Sequence, residues 1–334
     1  MKKKIFTKTL LFLAIVLFVS VFEGVFGESN TLVGVSTVVA SLVLLEKNLT
    51  TKPLMSFLEL LATNILIGVL AFISSHSMWY GLVIDFVTLA SIGYIFSYSL
   101  SKRLIVPFGL QYLFILYSPI EYSELGTRLV SLATGAVVVM VMQFIANAKK
   151  EKNPETEESL LFTEGEDDHD DTSVTIFGKV YNVHPVRARY AVRVGILTAF
   201  SAFITTLLGL EQGKWIAFTV FSLTELYSEH CKVKSKERMQ GTLIGSLIVM
   251  ISFIFIKDIA LRTFIILMAG YMNPFAENYR DATICVTVSS VASVALTNGT
   301  LITALERILY VAIGIIISLI ANKYILKAPK KEAI

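Results

Sequence analysis

The chain has 334 residues, of which 54% are hydrophobic and 16% charged, with a mean hydropathy of +0.69 and a formal net charge of +3. Soluble domains carry about 25% charged residues, so a water-soluble globule is excluded. The small positive excess is scattered over short loops and makes no nucleic-acid-binding face.

In chain order, the first half contains six apolar segments, at about 5–26, 29–45, 53–73, 78–98, 104–119 and 125–147. The second half contains six more, at about 188–210, 213–230, 237–256, 259–273, 276–297 and 303–325. Apolar runs of roughly 18 or more residues match a hydrocarbon core about 30 Å thick. The expected fold is therefore all-α: a polytopic membrane protein of about twelve transmembrane helices, built as two related six-helix bundles. The bundles span 1–147 and 186–334, joined by a cytoplasmic linker at 148–185.

Two stretches admit a second reading. Lys2, Lys3 and Lys4 ahead of the apolar Leu10–Phe22 resemble a signal peptide, but the long apolar run and Glu23 favour a retained span. In the linker, Glu164, Glu166, Asp167, Asp168, Asp170 and Asp171 form an acidic run expected to be solvated. His169 among them leaves a weak divalent-cation or regulatory contact as the alternative. The alternation of Val174–Val183 fits a short strand or hairpin.

Basic loops stay on the cytoplasmic side. With the amino terminus inside, all of the 29 basic residues except Arg128, Lys214, Lys257, Arg262 and Arg307 fall on the inner face. Both termini are then cytoplasmic, in a multi-pass protein of the cell membrane.

Two patterns recur between the halves. Pro107-Phe-Gly-Leu-Gln-Tyr112 has a partner in Pro274-Phe-Ala-Glu-Asn-Tyr279, each at the start of the fifth helix of its half. Arg is followed seven residues later by Gly in Arg128…Gly135, Arg238…Gly245 and Arg307…Gly314; Leu61…Gly68 keeps the glycine alone. Arg238 opens a helix running outward and the other two open inward ones, which implies an inverted three-plus-three repeat within each half. That is a transporter architecture.

Ionisable residues inside spans are functional candidates because burying them is costly. Arg128, Arg238 and Arg307 stand at helix N-termini, where the dipole already attracts anions and a guanidinium adds a fork for a carboxylate. Gln111, Tyr112, Asn278 and Tyr279 are placed to hydrogen-bond the same solute or one another. Asp85 and Glu225 lie deep in their spans and are candidates for proton coupling. The competing readings are headgroup contacts for the arginines, with Arg307 paired to the adjacent Glu306, and packing ion pairs for the carboxylates. Glu277, Arg280 and Asp281 are expected to pair locally at helical spacing, and Trp79 and Trp215 to anchor the outer interface.

No Gly-rich phosphate loop, His-Glu-x-x-His or Gly-x-Ser-x-Gly sequence occurs, so neither an enzymatic activity nor a cofactor is expected. Cys231 and Cys285, each in or beside an apolar segment, suggest neither a disulfide framework nor a metal site. The expected partners are the lipid bilayer and a small organic anion, with no nucleic acid; a homo-oligomer is compatible.

Arg193-Val-Gly, Gly213-Lys-Trp215 with Thr219, and Lys236-Glu-Arg-Met-Gln-Gly-Thr-Leu-Ile-Gly245 together resemble the fusaric acid resistance family. The resemblance is clearest over about 187–320. The aromatic acid exporters are similar, and the plant aluminium-activated malate transporters share the six-helix theme more distantly. The resemblance implies an exporter of aromatic or other weak organic acids, with proton coupling as one option. A passive organic-anion channel and a non-transporting envelope-assembly protein are the alternatives. Large cytoplasmic domains common in the family have only the short linker as a counterpart here.

Overall fold

The computed structural model describes residues 2–98, 102–148, 172–176 and 179–325. The acidic run and His169 lie outside them. Twelve α-helices are described: α1 (Lys2–Phe26), α2 (Thr31–Leu44), α3 (Pro53–Ser75), α4 (Met78–Ile95), α5 (Ile105–Leu116), α6 (Leu125–Asn147), α7 (Pro185–Leu207), α8 (Lys214–Leu223), α9 (Ser228–Phe255), α10 (Ile259–Met272), α11 (Tyr279–Ala295) and α12 (Thr300–Ile320). Ahead of α7, β1 (Thr172–Ile176) and β2 (Lys179–Val183) pair as an antiparallel hairpin, in the stretch where the alternation lies.

Local chemistry sets the helix ends. Pro53 occupies the first position of α3, where a missing N–H costs nothing. Gly27 and Gly209 take left-handed conformations just past α1 and α7. Asp258 caps α10 by accepting from Leu261 N at 2.9 Å.

Seven of the helices are long and apolar enough to cross a membrane. The apolar segments at Glu28–Leu44, Ile105–Leu116, Lys214–Leu223 and Ile259–Phe275 are shorter helices. The span expected at 213–230 stops at Leu223, and Thr224 is extended. Its successor starts only at Ser228, so Glu225 lies in a break between helices and not inside one.

The chain divides into two compact units, 17–203 and 1–16 with 204–334. In the first, α6 packs against α2 and α3, α5 packs against α2, α3 and α4, and α7 lies on α4. Gly93 faces Ala191 and Val194, and Gly195 faces Phe86. In the second unit, α12 packs against α8 and α9, while α11 packs against α9 and α10. The start of α1 lies on α10: Thr9 and Tyr271 share a hydrogen bond of 2.9 Å, Phe12 meets the Tyr271 ring edge-on, and Lys8 Nζ donates to Pro274 O. The boundary between units thus falls inside α1 and inside α7.

Four helix pairings recur at the same ordinal positions: α2·α6, α3·α6, α3·α5 and α4·α5 have counterparts in α8·α12, α9·α12, α9·α11 and α10·α11. Glycine explains how the first of these packs so closely. A Cβ on Gly135 of α6 would come within 2.6 Å of Thr37 on α2, and one on Gly314 of α12 within 2.7 Å of Thr219 on α8. Small residues are what allow such backbone approach between membrane helices. Outward faces are apolar, as lipid contact requires: Leu10, Leu13, Leu17 and Val21 form an exposed stripe along α1.

The repeated hexapeptide adopts two different structures. Pro107–Tyr112 lies within α5. Its partner instead forms a 3-10 turn at Asn273–Phe275 and an extended Ala276 before α11 begins at Tyr279. The difference follows from the amide. Asn278 is short enough to cap α11, accepting from Asp281 N at 2.9 Å, which Gln at the matching position is too long to do.

A buried basic site between α8, α9, α11 and α12

The site is built on α8. Trp215, Thr219 and Ser222 are spaced four and three residues apart and so share one face of the helix. Across Thr219 and Ser222 lies Arg238, which is well inside α9 (Ser228–Phe255) and not at its N-terminus as expected, because α9 starts earlier than the apolar run does. Of the three arginines only Arg128 stands in the first turn of its helix. Arg238 Nε donates to Thr219 Oγ1 at 3.3 Å, and its Nη1 donates to Ser222 Oγ at 3.3 Å and to Tyr279 Oη at 2.8 Å. Ser222 and Tyr279 are themselves 2.7 Å apart, closing a ring of hydroxyls about one guanidinium edge.

One turn away, Arg307 of α12 stacks on Trp215, its Cζ 3.6 Å from the ring centroid. Arg307 is 2% exposed, and its Nε and Nη1 have no hydrogen-bond partner. The charges of Arg238 and Lys214 both act on it. Among the described residues neither Arg238 nor Arg307 forms an ion pair. The indole face offsets part of the cost of burying that charge, by about 0.5–2 kcal/mol. An unpaired buried ion costs several kcal/mol, so the larger share is left without compensation. The competing pairing of Arg307 with Glu306 is not formed among the described residues, and Trp215 carries Arg307 on its ring face. Trp79, by contrast, is 65% exposed and touches only the Phe203 ring among described aromatic contacts.

Glu225 is buried beside this site and paired with Lys234 of α9 at 2.7 Å. Lys234 also lies 5.7 Å from the Tyr279 ring centroid. Asn278 is exposed and occupied as the α11 cap, with its Nδ2 donating to Asp281 Oδ2 at 3.0 Å. Arg280 pairs with its immediate neighbour Asp281 at 3.0 Å, not at helical spacing as expected, because Asp281 is turned towards the cap.

The remaining candidates lie in the other unit. Arg128 is 1% exposed and held by three hydrogen bonds: Nε donates to Asn30 Oδ1 at 2.6 Å, and Nη2 to the carbonyls of Ser29 at 2.8 Å and Ser118 at 3.3 Å. Asp85, 4% exposed, accepts at one oxygen from Ser74 Oγ and Tyr112 Oη, both at 2.5 Å. Gln111 is buried next to Tyr112. The sequence pattern therefore brings Arg238, Arg307 and Tyr279 together, and separately Asp85 with Tyr112. It overlooked Thr219, Ser222 and Lys234, for which the shared face of α8 and the four-residue step from Lys234 to Arg238 were the available signals. Cys231 and Cys285 form no disulfide, and no group of three potential metal ligands occurs, among the described residues.

Seven helices long and apolar enough to cross a bilayer, with a cluster of basic side chains among the shorter and longer helices of the second unit, fit a multi-pass membrane protein. Residues 196–321 match the family model described as fusaric acid resistance protein-like. Trp215, Thr219, Ser222, Arg238, Tyr279 and Arg307 all fall inside that match. Comparison with curated proteins finds no match, and comparison with solved structures finds none.

Proposed function

We propose that the protein carries weak organic acids across the cell membrane, outward, and that Arg238 and Arg307 hold the anion. The observation behind this reading is the state of Arg307: a guanidinium buried on an indole, next to a second guanidinium, with N–H groups unpartnered. A carboxylate is the complement such donors lack, and an aromatic acid adds a ring that can lie against Trp215. Similarity to the fusaric acid resistance protein-like family over 196–321 supports the class.

In this reading Tyr279 orients Arg238, while Arg128 serves as a clamp because its donors are already engaged. Asp85, with Ser74, Tyr112 and the neighbouring Gln111, is one proton-coupling centre, and Glu225 with Lys234 is the other. Asn278 acts by fixing the start of α11. The two halves, 1–147 and 186–334, descend from one duplicated six-helix unit with the linker 148–185 between them. The recurring helix pairings and the matched Gly135–Thr37 and Gly314–Thr219 approaches favour that ancestry. Both termini face the cytoplasm in this reading, which the placement of lysine and arginine supports.

Uptake of labelled benzoate into proteoliposomes tests the function, with and without a pH gradient. Gradient-driven flux that Arg307→Gln and Arg238→Gln abolish is expected. Flux independent of the gradient would make the protein a channel, and no flux of any organic anion would leave the envelope-assembly role.

A further inference from the structure

Among the described residues of the second unit, four hydroxyls are buried without a hydrogen-bond partner: Ser235, Thr242 and Ser246 on α9, and Thr287 on α11. In a helix such side chains ordinarily bond back to a carbonyl one turn earlier. Many others in this chain do: Thr37 donates to Val33 O at 2.9 Å, Ser201 to Leu197 O at 2.7 Å, and Ser318 to Gly314 O at 2.9 Å. Ser56, Thr88 and Thr198 in the other unit are also without a partner, each on a different helix, whereas the four in the second unit are not scattered. At about 100° per residue, Arg238, Thr242, Ser235 and Ser246 fall within a sector of roughly 80° on α9. Thr287 stands across the same contact, its Cβ 2.8 Å from where a Cβ on Gly245 would lie. The sector runs from Ser235 to Ser246, about 16 Å along the helix axis, which is half the thickness of a hydrocarbon core.

A buried hydroxyl with no partner is unfavourable, and three along one face of α9 with a fourth facing them from α11, beside an arginine, are not explained by packing. They are explained if water or a solute oxygen serves them. We propose that this face of α9, with Thr287 of α11, lines a hydrated track by which the anion moves to and from the Arg238 site. The inference rests on the anion-binding reading of that site and adds its route. Hydroxyls suit the task because they offer a donor to a carboxylate without the fixed charge that would trap it, as multi-site conduction requires.

Two measurements test the track. Thr242→Cys, Ser246→Cys and Thr287→Cys are introduced singly, with Cys231→Ser and Cys285→Ser removing the native thiols. Each variant in vesicles is treated with the membrane-impermeant 2-sulfonatoethyl methanethiosulfonate. Reaction at all three positions, slowed by benzoate, is expected; thiols as unreactive as those facing lipid would overturn the track. Second, the combined Thr242→Val, Ser246→Ala and Thr287→Val variant is assayed for benzoate flux, benzoate quenching of Trp215 fluorescence and thermal stability. Each lost hydrogen bond should slow flux by roughly fivefold to tenfold, with quenching retained and the melting temperature unchanged or raised. Unchanged flux together with raised stability would mean that the hydroxyls are merely ill-satisfied packing, and the proposal fails. Absence of quenching in the unsubstituted protein would instead remove the anion site, while the thiol measurement would still decide the track by itself.

Discussion

Arg307 and Trp215 lie in van der Waals contact, guanidinium carbon 3.6 Å from ring centroid, and this stack is the main contact of a cation that donates no hydrogen bond from its Nε or Nη1. Its energetic consequence is opposite to that of a buried ion pair, in which removing either member is destructive.

Arg307→Met should therefore raise thermal stability, by about 1 kcal/mol or more, because it replaces an uncompensated charge with an apolar group of similar length. The same variant should lose benzoate binding. Differential scanning of the detergent-solubilised protein with and without benzoate reads both effects. A fall in stability would mean that Arg307 has a counter-charge after all.

Arg128→Met should behave in the reverse way. It leaves Asn30 and two carbonyls without their donor, at a cost of about 2–4 kcal/mol. Thermal stability is expected to fall, while binding of benzoate to the folded protein stays unchanged. Asn30→Ala should reproduce part of the loss, since it removes the 2.6 Å acceptor. A variant that folds normally but binds no anion would make Arg128 part of the site.

Gly314→Ala should disrupt the α8–α12 contact. Its methyl group would sit 2.7 Å from Thr219 Cβ and 3.1 Å from Ile216 O. Overpacking of this kind costs about 1–3 kcal/mol, and it would also push Thr219 away from Arg238. Gly135→Ala should be similarly costly against Thr37, yet without effect on anion affinity. Measuring stability and affinity for both variants separates packing from binding.

Asp85→Asn should preserve the fold, because an amide oxygen still accepts from Ser74 and Tyr112. It cannot carry a proton. The dependence of benzoate flux on a pH gradient should disappear, with gradient-free exchange retained. Full gradient dependence in Asp85→Asn and in Glu225→Gln alike would remove both coupling centres.

Lys47, in the turn between α2 and α3, gives a pH signature outside the spans. Burial lowers its pKa from 10.5 to about 8, against the opposing attraction of Glu59, and its ammonium rests 4.2 Å from the Tyr98 ring centroid. The folded state therefore releases this proton at lower pH than the unfolded chain does. Stability from this group rises with pH between about 8 and 10.5 and is flat on either side. Lys47→Met should abolish that rise. Acylation by an amine-directed reagent, followed by peptide mapping, should show Lys47 half-reactive near pH 8; a midpoint near 10.5 would contradict its burial.

The membrane class, the twelve helices and nearly all their boundaries were legible in the sequence, because lipid demands long apolar runs and loops mark themselves with charge. The Arg–Gly pattern was legible too, and three of its four glycines sit where a side chain would collide with a threonine across the contact. What the pattern could not reveal was the fate of each arginine. Arg128 and Arg307 occupy matching positions, yet one meets Asn30 and two carbonyls while the other meets an indole and a second cation. Likewise one copy of the hexapeptide is helix and the other is a turn, depending on whether its amide can cap. Hydropathy and spacing are properties of one segment at a time. The partners that decide whether a buried charge is satisfied come from other helices, and only packing brings them within hydrogen-bonding distance.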